Sequence, residues 1–401
     1  MSTIKPRSAQ ELTDAIAWAL DRSEALEIGG GFTKRALGKP SRAAQRLDLA
    51  DLRGISLYEP EELVLTAAAG TPLAEIESVL AQRNQMLAFE PPDLAGIFGA
   101  GSGQTLGGVI ACNFAGPRRL SHGAARDHFL GFKGTSGRGE RFKSGGRVVK
   151  NVTGYDLSKL LAGSHGTLAA LDEITVKVLP APEKTRTILL LGLDDAQAVQ
   201  ALCRAMGQPV DVSGAAHLPA RAAQHSAVDY VRNPGTAVTA LRLEGPGPSV
   251  EARCLHLRLF FAGQCAIEEL HSVNSVVLWK EIRDLRLLGG PDHVDIWKVS
   301  VAPAEGAAVA ARIRSAIAGA ENFYDWSGGL IFVALPPAQD ASATIVRAAL
   351  GEGHATLLRA PDAVRQAVPV FHPQPAPLAA LSARVKDAFD PTGILNAGRM
   401  G

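Results

Sequence analysis

The chain of 401 residues has no long apolar run, only 5% aromatic residues and only four cysteines. No stretch approaches the roughly 20 apolar residues of a membrane-spanning helix. The opening MSTIKPRSAQ lacks the apolar core of a secretory signal, which predicts a cytosolic protein. Cys112, Cys203, Cys254 and Cys265 are scattered, with no C-x-x-C pair. This spacing argues against a disulfide scaffold and against a zinc ion or iron–sulfur cluster held by this chain alone. The four are expected to be reduced, mostly buried thiols. An excess of one charge is also missing: 41 Lys+Arg face 40 Asp+Glu, so nothing global calls for nucleic acid or an acidic surface. No G-x-S-x-G occurs, and hydrolase chemistry has no support.

What is present is a chain that is 46% hydrophobic, enough for a full core, expected as two domains. Ser8-Ala9-Gln10-Glu11 is a capping box, followed by Leu12, Ile16 and Leu20 at helical spacing. A short strand over Ala25–Ile28 runs into Gly29-Gly30-Gly31-Phe32-Thr33. Thr71 and Pro72 are expected as N-cap and first residue of a helix with Leu73, Ile76 and Leu80 inward. From Gly96 to Gly166 the texture changes: 71 residues hold 17 of the 41 glycines. Within it, 117–150 carries nine Lys/Arg against Asp127 and Glu140. Residues 103–128 settle into neither helix nor strand period and are expected as loop. Glycine at this density serves positive φ or close backbone approach.

After Pro180-Ala181-Pro182 the pattern is ordinary: strands near 187–191, 238–243, 294–301 and 330–335 alternate with helices near 195–206, 248–262, 303–318 and 340–350. This predicts an antiparallel sheet with helices on a face. A last helix has Leu378, Leu381, Val385 and Phe389 on one stripe, stopped by Asp390-Pro391-Thr392-Gly393. The expected fold class is α+β, divided into 1–182, 183–368 and a returning segment 369–401.

Gly29-Gly30-Gly31 by itself is either a plain turn or a ligand loop. It is no dinucleotide fingerprint, because the G-x-G-x-x-G spacing is absent. Successive backbone amides can still hold a diphosphate, and Gly107-Gly108 with Asn113 and Gly116 offers a second such surface. The basic run is a solvated face or a phosphate cradle; its overlap with the glycines favours the cradle more than charge alone does.

Together these strings resemble the vanillyl-alcohol oxidase/p-cresol methylhydroxylase flavoproteins. Gly29-Gly30-Gly31-Phe32-Thr33 is similar to that family's first FAD loop. Thr105-Leu106-Gly107-Gly108-x-x-Ala111-x-Asn113-x-x-Gly116 resembles the second, and Gly123-x-x-Arg126-Asp127-x-x-Leu130-Gly131 the segment after it. Lys150-Asn151-Val152-Thr153-Gly154-Tyr155-Asp156-Leu157, Gly163-Ser164-x-Gly166-Thr167-Leu168 and Ile174-Thr175-Val176-Lys177 continue the likeness. Phe389-Asp390-Pro391-x-Gly393-Ile394-Leu395-Asn396-x-Gly398-Arg399 is similar to the C-terminal return to the flavin. The resemblance covers about 1–182 and 370–401.

Within that family, Gly38-Lys39-Pro40, Gln85-Met86-Leu87-Ala88-Phe89-Glu90-Pro91-Pro92 and Ala115-Gly116-Pro117-Arg118-Arg119 are similar to the small FAD-binding (E) subunits of bacterial glycolate oxidases. The resemblance implies a two-lobed FAD-binding domain with a smaller α/β cap. It implies FAD contacts at Gly29, Gly30, Gly31, Phe32, Thr33, Pro92, Thr105, Leu106, Gly107, Gly108, Asn113, Gly116, Gly123, Asp127, Gly163, Ser164, Gly166, Ile174, Asn396 and Arg399. Arg118 and Arg119 join that set as groups for ring or phosphate oxygens; for each, a plain surface cation is the other reading.

Covalent attachment in related proteins uses a first-loop histidine, where this chain has Phe32-Thr33, so noncovalent FAD is expected. His122 is either a linkage or, preferably, a hydrogen-bonding histidine. The larger glycolate oxidase subunit and related lactate dehydrogenases place histidines and a carboxylate over the flavin; Gly353-His354-Ala355-Thr356-Leu357 looks like a remnant of that strand. A lone histidine is a poor metal site, so no metal is expected. His271, His293 and His372 stand too isolated to assign.

Two functions remain. In one, the chain holds flavin for a larger FAD-binding subunit and an iron–sulfur subunit, peripheral at the inner membrane at most through these partners. In the other, it oxidises a small 2-hydroxy acid itself, with Arg283 and Lys298 as the cations to test for the carboxylate.

Overall fold

The computed structural model describes residues 2–101, 103–147, 154–288 and 295–400. Lys150-Asn151-Val152-Thr153 and His293 lie outside the described residues.

The helix Ala9–Arg22 starts as its sequence predicts, with the Ser8 hydroxyl accepting from the Glu11 amide. The other half of the expected box is shifted: the Glu11 carboxylate accepts from the amide of Arg7 at 2.8 Å. The helix buries Leu12 and Ile16 with Leu26 and Leu47 of a three-stranded parallel sheet, ordered Ser2–Ile4, Gln45–Asp48, Leu26–Gly29. Ile394 and Leu395 complete this core from the other end of the chain. The amide of Leu26 donates to Ile394 and that of Asn396 to Leu26, so the C-terminal segment lies alongside the first glycine loop's strand.

A five-stranded antiparallel sheet follows, ordered Ile55–Glu59, Val64–Ala68, Ala169–Lys177, Phe129–Ser136, Arg141–Gly145. Its core holds Ile76 and Leu80 of the helix Leu73–Ala81. That helix begins one residue later than expected. Pro72 is its N-cap, while the Thr71 hydroxyl accepts from Gly54 and donates to Ala68.

Residues 184–359 supply an eight-stranded antiparallel sheet. Its order is 266–270, 184–191, 238–245, 212–218, 321–325, 330–335, 295–300, 354–359, which is two βαββαβ halves joined edge to edge. The halves meet through one paired position, His217 opposite Tyr324. Alternation along each strand sets the two faces. Ile188 and Leu190 pack under the helices Asp195–Met206 and Gly247–Phe260, whereas Leu189 faces Trp279 and Ile282 of the helix Ser272–Arg283. That second face also meets Leu37, Leu94 and Phe114, so it closes over the N-terminal part. The mixed α+β content, with an antiparallel sheet and helices on it, matches the sequence reading.

Residues 103–128 are not all loop: Leu106–Cys112, Arg119–His122 and Ala125–His128 are short helices, because Thr105 caps the first and glycine lets it lie close on Ala69. The helix Ala376–Phe389 does not bury its whole stripe. Val385 and Phe389 pack on the five-stranded sheet's core, while Leu378 and Leu381 remain 48% and 51% exposed.

Candidate functional site

The first loop leaves the strand Leu26–Gly29 and turns at Phe32, whose φ of 50° is left-handed. The Phe32 ring lies 4.5 Å below the Arg46 guanidinium. Side chains are missing here because another loop occupies their place. A Cβ on Gly30 would stand 2.7 Å from the Thr105 hydroxyl, and one on Gly31 would overlap the Gly103 carbonyl. The backbone of the first loop therefore lies directly against the Thr105 side chain and the Gly103 carbonyl of the second. Among the described residues the amides of Gly31, Phe32 and Thr33 have no backbone acceptor. Thr33 is buried, and the Lys34 ammonium donates to Gln104 at 3.1 Å. Burial pushes the Lys34 pKa down, against the opposing pull of Cys112 and Asp93.

The second loop becomes the helix Leu106–Cys112. Its glycines divide the labour. Gly107 fits against Ala69, where a Cβ would come within 2.9 Å; Gly108 meets only the Thr105 hydroxyl and Lys34 ammonium, at 3.4 and 3.7 Å. Asn113 ends the helix at φ 50°, its Oδ1 accepting from the Arg126 amide at 2.9 Å. Gly163 packs on Asn113, and Gly163 and Gly166 both adopt positive φ.

Asn396 joins three strings distant in sequence. Its Oδ1 accepts from the Ile28 amide at 2.7 Å, and its Nδ2 donates to the His165 carbonyl at 2.8 Å. Arg399 donates to the Lys34 carbonyl at 2.8 Å. Two adjoining cavities result, both lined by Ile28, Gly29, Gly30, Thr105, Gly108, Ala111, His165 and Asn396. One continues along Gly31, Phe32, Thr33 and Arg399, the other along Gly107, Ser164, Gly166 and Leu171.

His165 is the residue that sequence reasoning misses. It occupies the unassigned position of Gly163-Ser164-x-Gly166 and lines both cavities. Its φ is 53°, its Nδ1 is 3.7 Å from the Cys112 sulfur and its ring 4.9 Å from that of Phe371. Burial, then Arg399, pushes its pKa down to about 4, so the ring is neutral. A left-handed non-glycine residue between two glycines is the only local signal, and sequence does not display it.

The other expected contacts stand apart from these cavities. Leu106 and Ile174 are core residues of the five-stranded sheet, and Pro92 is buried. Gly123 has positive φ and lies against Asp127, whose Oδ2 accepts from the Ala124 amide. The Gly116 amide donates to Phe89, and its carbonyl accepts from the Trp326 indole at 3.1 Å. His122 pairs with the Ser121 hydroxyl at 2.7 Å. The rings of His354 and His372 lie 5.3 Å apart, so His372 is not isolated; no group of three metal-binding side chains occurs among the described residues.

The cations separate into committed and open ones. Arg118 donates twice to Glu244, at 2.9 and 2.7 Å, and its Nη1 lies 3.0 Å from Glu90. Arg242, stacked on Trp279, donates twice to Glu90 at 2.8 and 3.0 Å. Arg283 is held by Asp284 at 2.7 and 3.0 Å. The Arg118 fork, expected near ring or phosphate oxygens, thus joins the N-terminal part to the eight-stranded sheet. Arg119 and Lys298 instead flank Trp326, at 4.8 and 5.3 Å from its ring centre.

A family model described as FAD binding domain matches residues 2–145. The chain is 33% identical over 392 residues to the glycolate oxidase subunit GlcE of Escherichia coli (strain K12), covering 98% of this chain and 97% of that one. It is 35% identical over 191 residues to the glycolate oxidase subunit GlcD of Bacillus subtilis (strain 168), covering 47% and 39% of the two chains. Among solved structures, p-cresol methylhydroxylase with substrate bound aligns at a TM-score of 0.70 with 13% identity, over 100% of this chain and 88% of the other, which shows the fold. The chain belongs to the FAD-binding oxidoreductase family that includes the glycolate oxidase subunit GlcE, and FAD is its cofactor.

Proposed function

We propose that the chain is the FAD-holding subunit of a complex that oxidises glycolate, or a 2-hydroxy acid of that class, to the 2-oxo acid. A larger FAD-binding subunit and an iron–sulfur subunit are its partners in this reading, and the complex is cytoplasmic, reaching the inner membrane only through them. Residues 1–182 with 369–401 form the FAD lobe, and 183–368 the cap.

The observation that carries this reading is the close contact of the Gly30–Gly31 and Gly103–Thr105 loops beside the amides of Gly31, Phe32 and Thr33, which have no backbone acceptor among the described residues. Consecutive amides without a side chain in front are a cradle for a diphosphate. The fit to FAD is good on the chain's own terms: Gly108 presents no Cβ to the cavity, and neutral His165 and Asn396 supply polar atoms along it. Bound flavin supplies a two-electron acceptor for an alcohol carbon. The protein's part is to hold the diphosphate at the first loop and keep the cavity wall neutral at His165. Phe32 and Thr33 occupy the first loop, which supports noncovalent attachment.

Reduction by substrate tests the reading. The purified chain, mixed anaerobically with glycolate, is expected to retain oxidised flavin, and to be reduced when the partner subunits are added. Rapid bleaching by the lone monomer, as fast as in the assembled system, would instead establish a self-sufficient dehydrogenase.

A further inference from the structure

Trp326 follows the strand Glu321–Asp325 in an unusual turn. Trp326 and Ser327 are consecutive non-glycine residues at φ 50° and 60°. Left-handed backbone of this kind persists only where the surroundings enforce it, and it clusters at ligand sites. Two bonds enforce it here: Asp325 accepts from the Trp326 amide at 2.7 Å, and the indole donates to the Gly116 carbonyl at 3.1 Å. The indole is thereby fixed against the segment that follows Asn113.

Two cations converge on this ring. Arg119 opens the short helix after Gly116, with its guanidinium 4.8 Å from the ring centre. Lys298 comes from the strand Asp295–Ser300, with its ammonium 5.3 Å from the same centre. It shares a strand face with Ile296, on the side of the sheet that covers the FAD lobe. Four enclosed guanidinium groups are met by carboxylates: Glu244 for Arg118, Glu90 for Arg242, Asp284 for Arg283, Asp362 for Arg365; the exposed Arg119 and the half-buried Lys298 are met by the Trp326 ring instead. Among the described residues neither Arg119 nor Lys298 has a carboxylate within ion-pair distance. Burial, then repulsion from Arg119, pushes the Lys298 pKa down to about 8, so the ammonium remains charged at neutral pH. Two like charges brought together on one ring need an anion more than they need each other.

We propose that Arg119 and Lys298 bind the carboxylate of a small 2-hydroxy acid or its 2-oxo product, with the Trp326 indole as the wall. This inference rests on the reading that the oxidised substrate is a hydroxy acid. A guanidinium fork matches a planar carboxylate in two parallel hydrogen bonds, and an ammonium adds a point charge. Phosphate groups favour nests of consecutive amides, whereas the groups that converge here are side-chain cations on an aromatic wall.

The test is a titration of the purified FAD-loaded chain in chloride-free buffer, followed by calorimetry and tryptophan fluorescence. The probes are glycolate, ethylene glycol as its uncharged counterpart, and inorganic phosphate. Glycolate is expected to bind and to change the emission, with the change absent in Trp326→Phe; ethylene glycol is expected to do neither. Lys298→Met and Arg119→Met should each weaken glycolate by about tenfold or more, whereas Lys298→Arg stays close to wild type. Arg119 is exposed, so its variant tests the site without disturbing the core. Unchanged glycolate affinity in both Met variants would overturn the proposal, as would phosphate binding as tightly as glycolate with the same losses. Flavin content is read on the same samples. A chain without FAD would defeat the functional reading, while the calorimetric titration would still report on the anion site.

Discussion

The guanidinium of Arg118 donates through Nε and Nη2 to the two carboxylate oxygens of Glu244, 126 residues away. This fork ties the glycine-rich segment to the strand Val238–Gly245, and Glu90 bridges it to the buried Arg242. Burial by itself raises a carboxyl pKa, but Arg242 and then Arg118 outweigh it and hold Glu244 well below the usual range. A folded pKa below the unfolded value gives stability that is present above about pH 4.3 and lost as pH falls through the folded pKa. Glu244→Gln should therefore reduce the loss of stability seen on acidification below pH 5. Arg118→Met removes both fork bonds while Arg242 still faces Glu244 at 3.4 Å, and should cost about 1–3 kcal/mol at neutral pH. Urea unfolding across pH reads both, and a wild-type urea midpoint in Arg118→Met would remove the interlobe role.

Asp325 carries the opposite sign. Burial pushes its carboxyl up to about 7, with the Trp326 amide and Arg242 pulling down and Glu90 pushing further up. A raised folded pKa means stability falls as pH rises from about 3.9 to the folded value, and is flat above it. Asp325→Asn keeps an oxygen for the Trp326 amide and removes the ionisation. Its melting temperature should gain on wild type between pH 5 and pH 8; a gap that does not widen with pH would contradict the assignment.

The two kinds of glycine make a contrasting pair. Gly31→Ala places a methyl on the Gly103 carbonyl, so it should lower both stability and flavin content. Gly108→Val has ordinary contacts at Cβ and no positive φ, so its branches block the cavity while the chain stays folded. Its expected result is a wild-type circular dichroism melt with flavin absorbance lost. Full flavin occupancy would show that the diphosphate does not pass this glycine.

Noncovalent attachment is read directly by acid precipitation, which should release all yellow colour to the supernatant. Flavin fluorescence remaining on the denatured band would point to a linkage, with His165 and Cys112 the first residues to replace.

Local chemistry was legible in the sequence wherever a few consecutive residues decide the outcome. The Ser8 cap, the glycine loops, the strand Leu330–Leu335 and the helix Asp195–Met206 are of this kind, since propensity, period and capping act within one turn or one strand. The family likeness rests on the same short strings. Residues 103–128 escaped because glycine and alanine show little period even when helical. Leu378 and Leu381 escaped because a stripe reports that a helix has an apolar face, not that a partner covers its full length.

Which arginine is committed and which cation is left open was decided only by the tertiary structure. Arg118 and Arg119 are adjacent and chemically identical in sequence, yet one meets Glu90 and Glu244 and the other meets Trp326 and Lys298. Asn396 reaches Ile28 across 368 positions, and His165 reaches Cys112 only because the loops between them fold back. The sequence alone determined the α+β class and the glycine-loop flavoprotein signature, which depend on backbone conformation over short spans. The charge pairing, the neutral His165 and the cation pair on Trp326 depend on which distant groups share a low-dielectric space, and only the assembled lobes determine that.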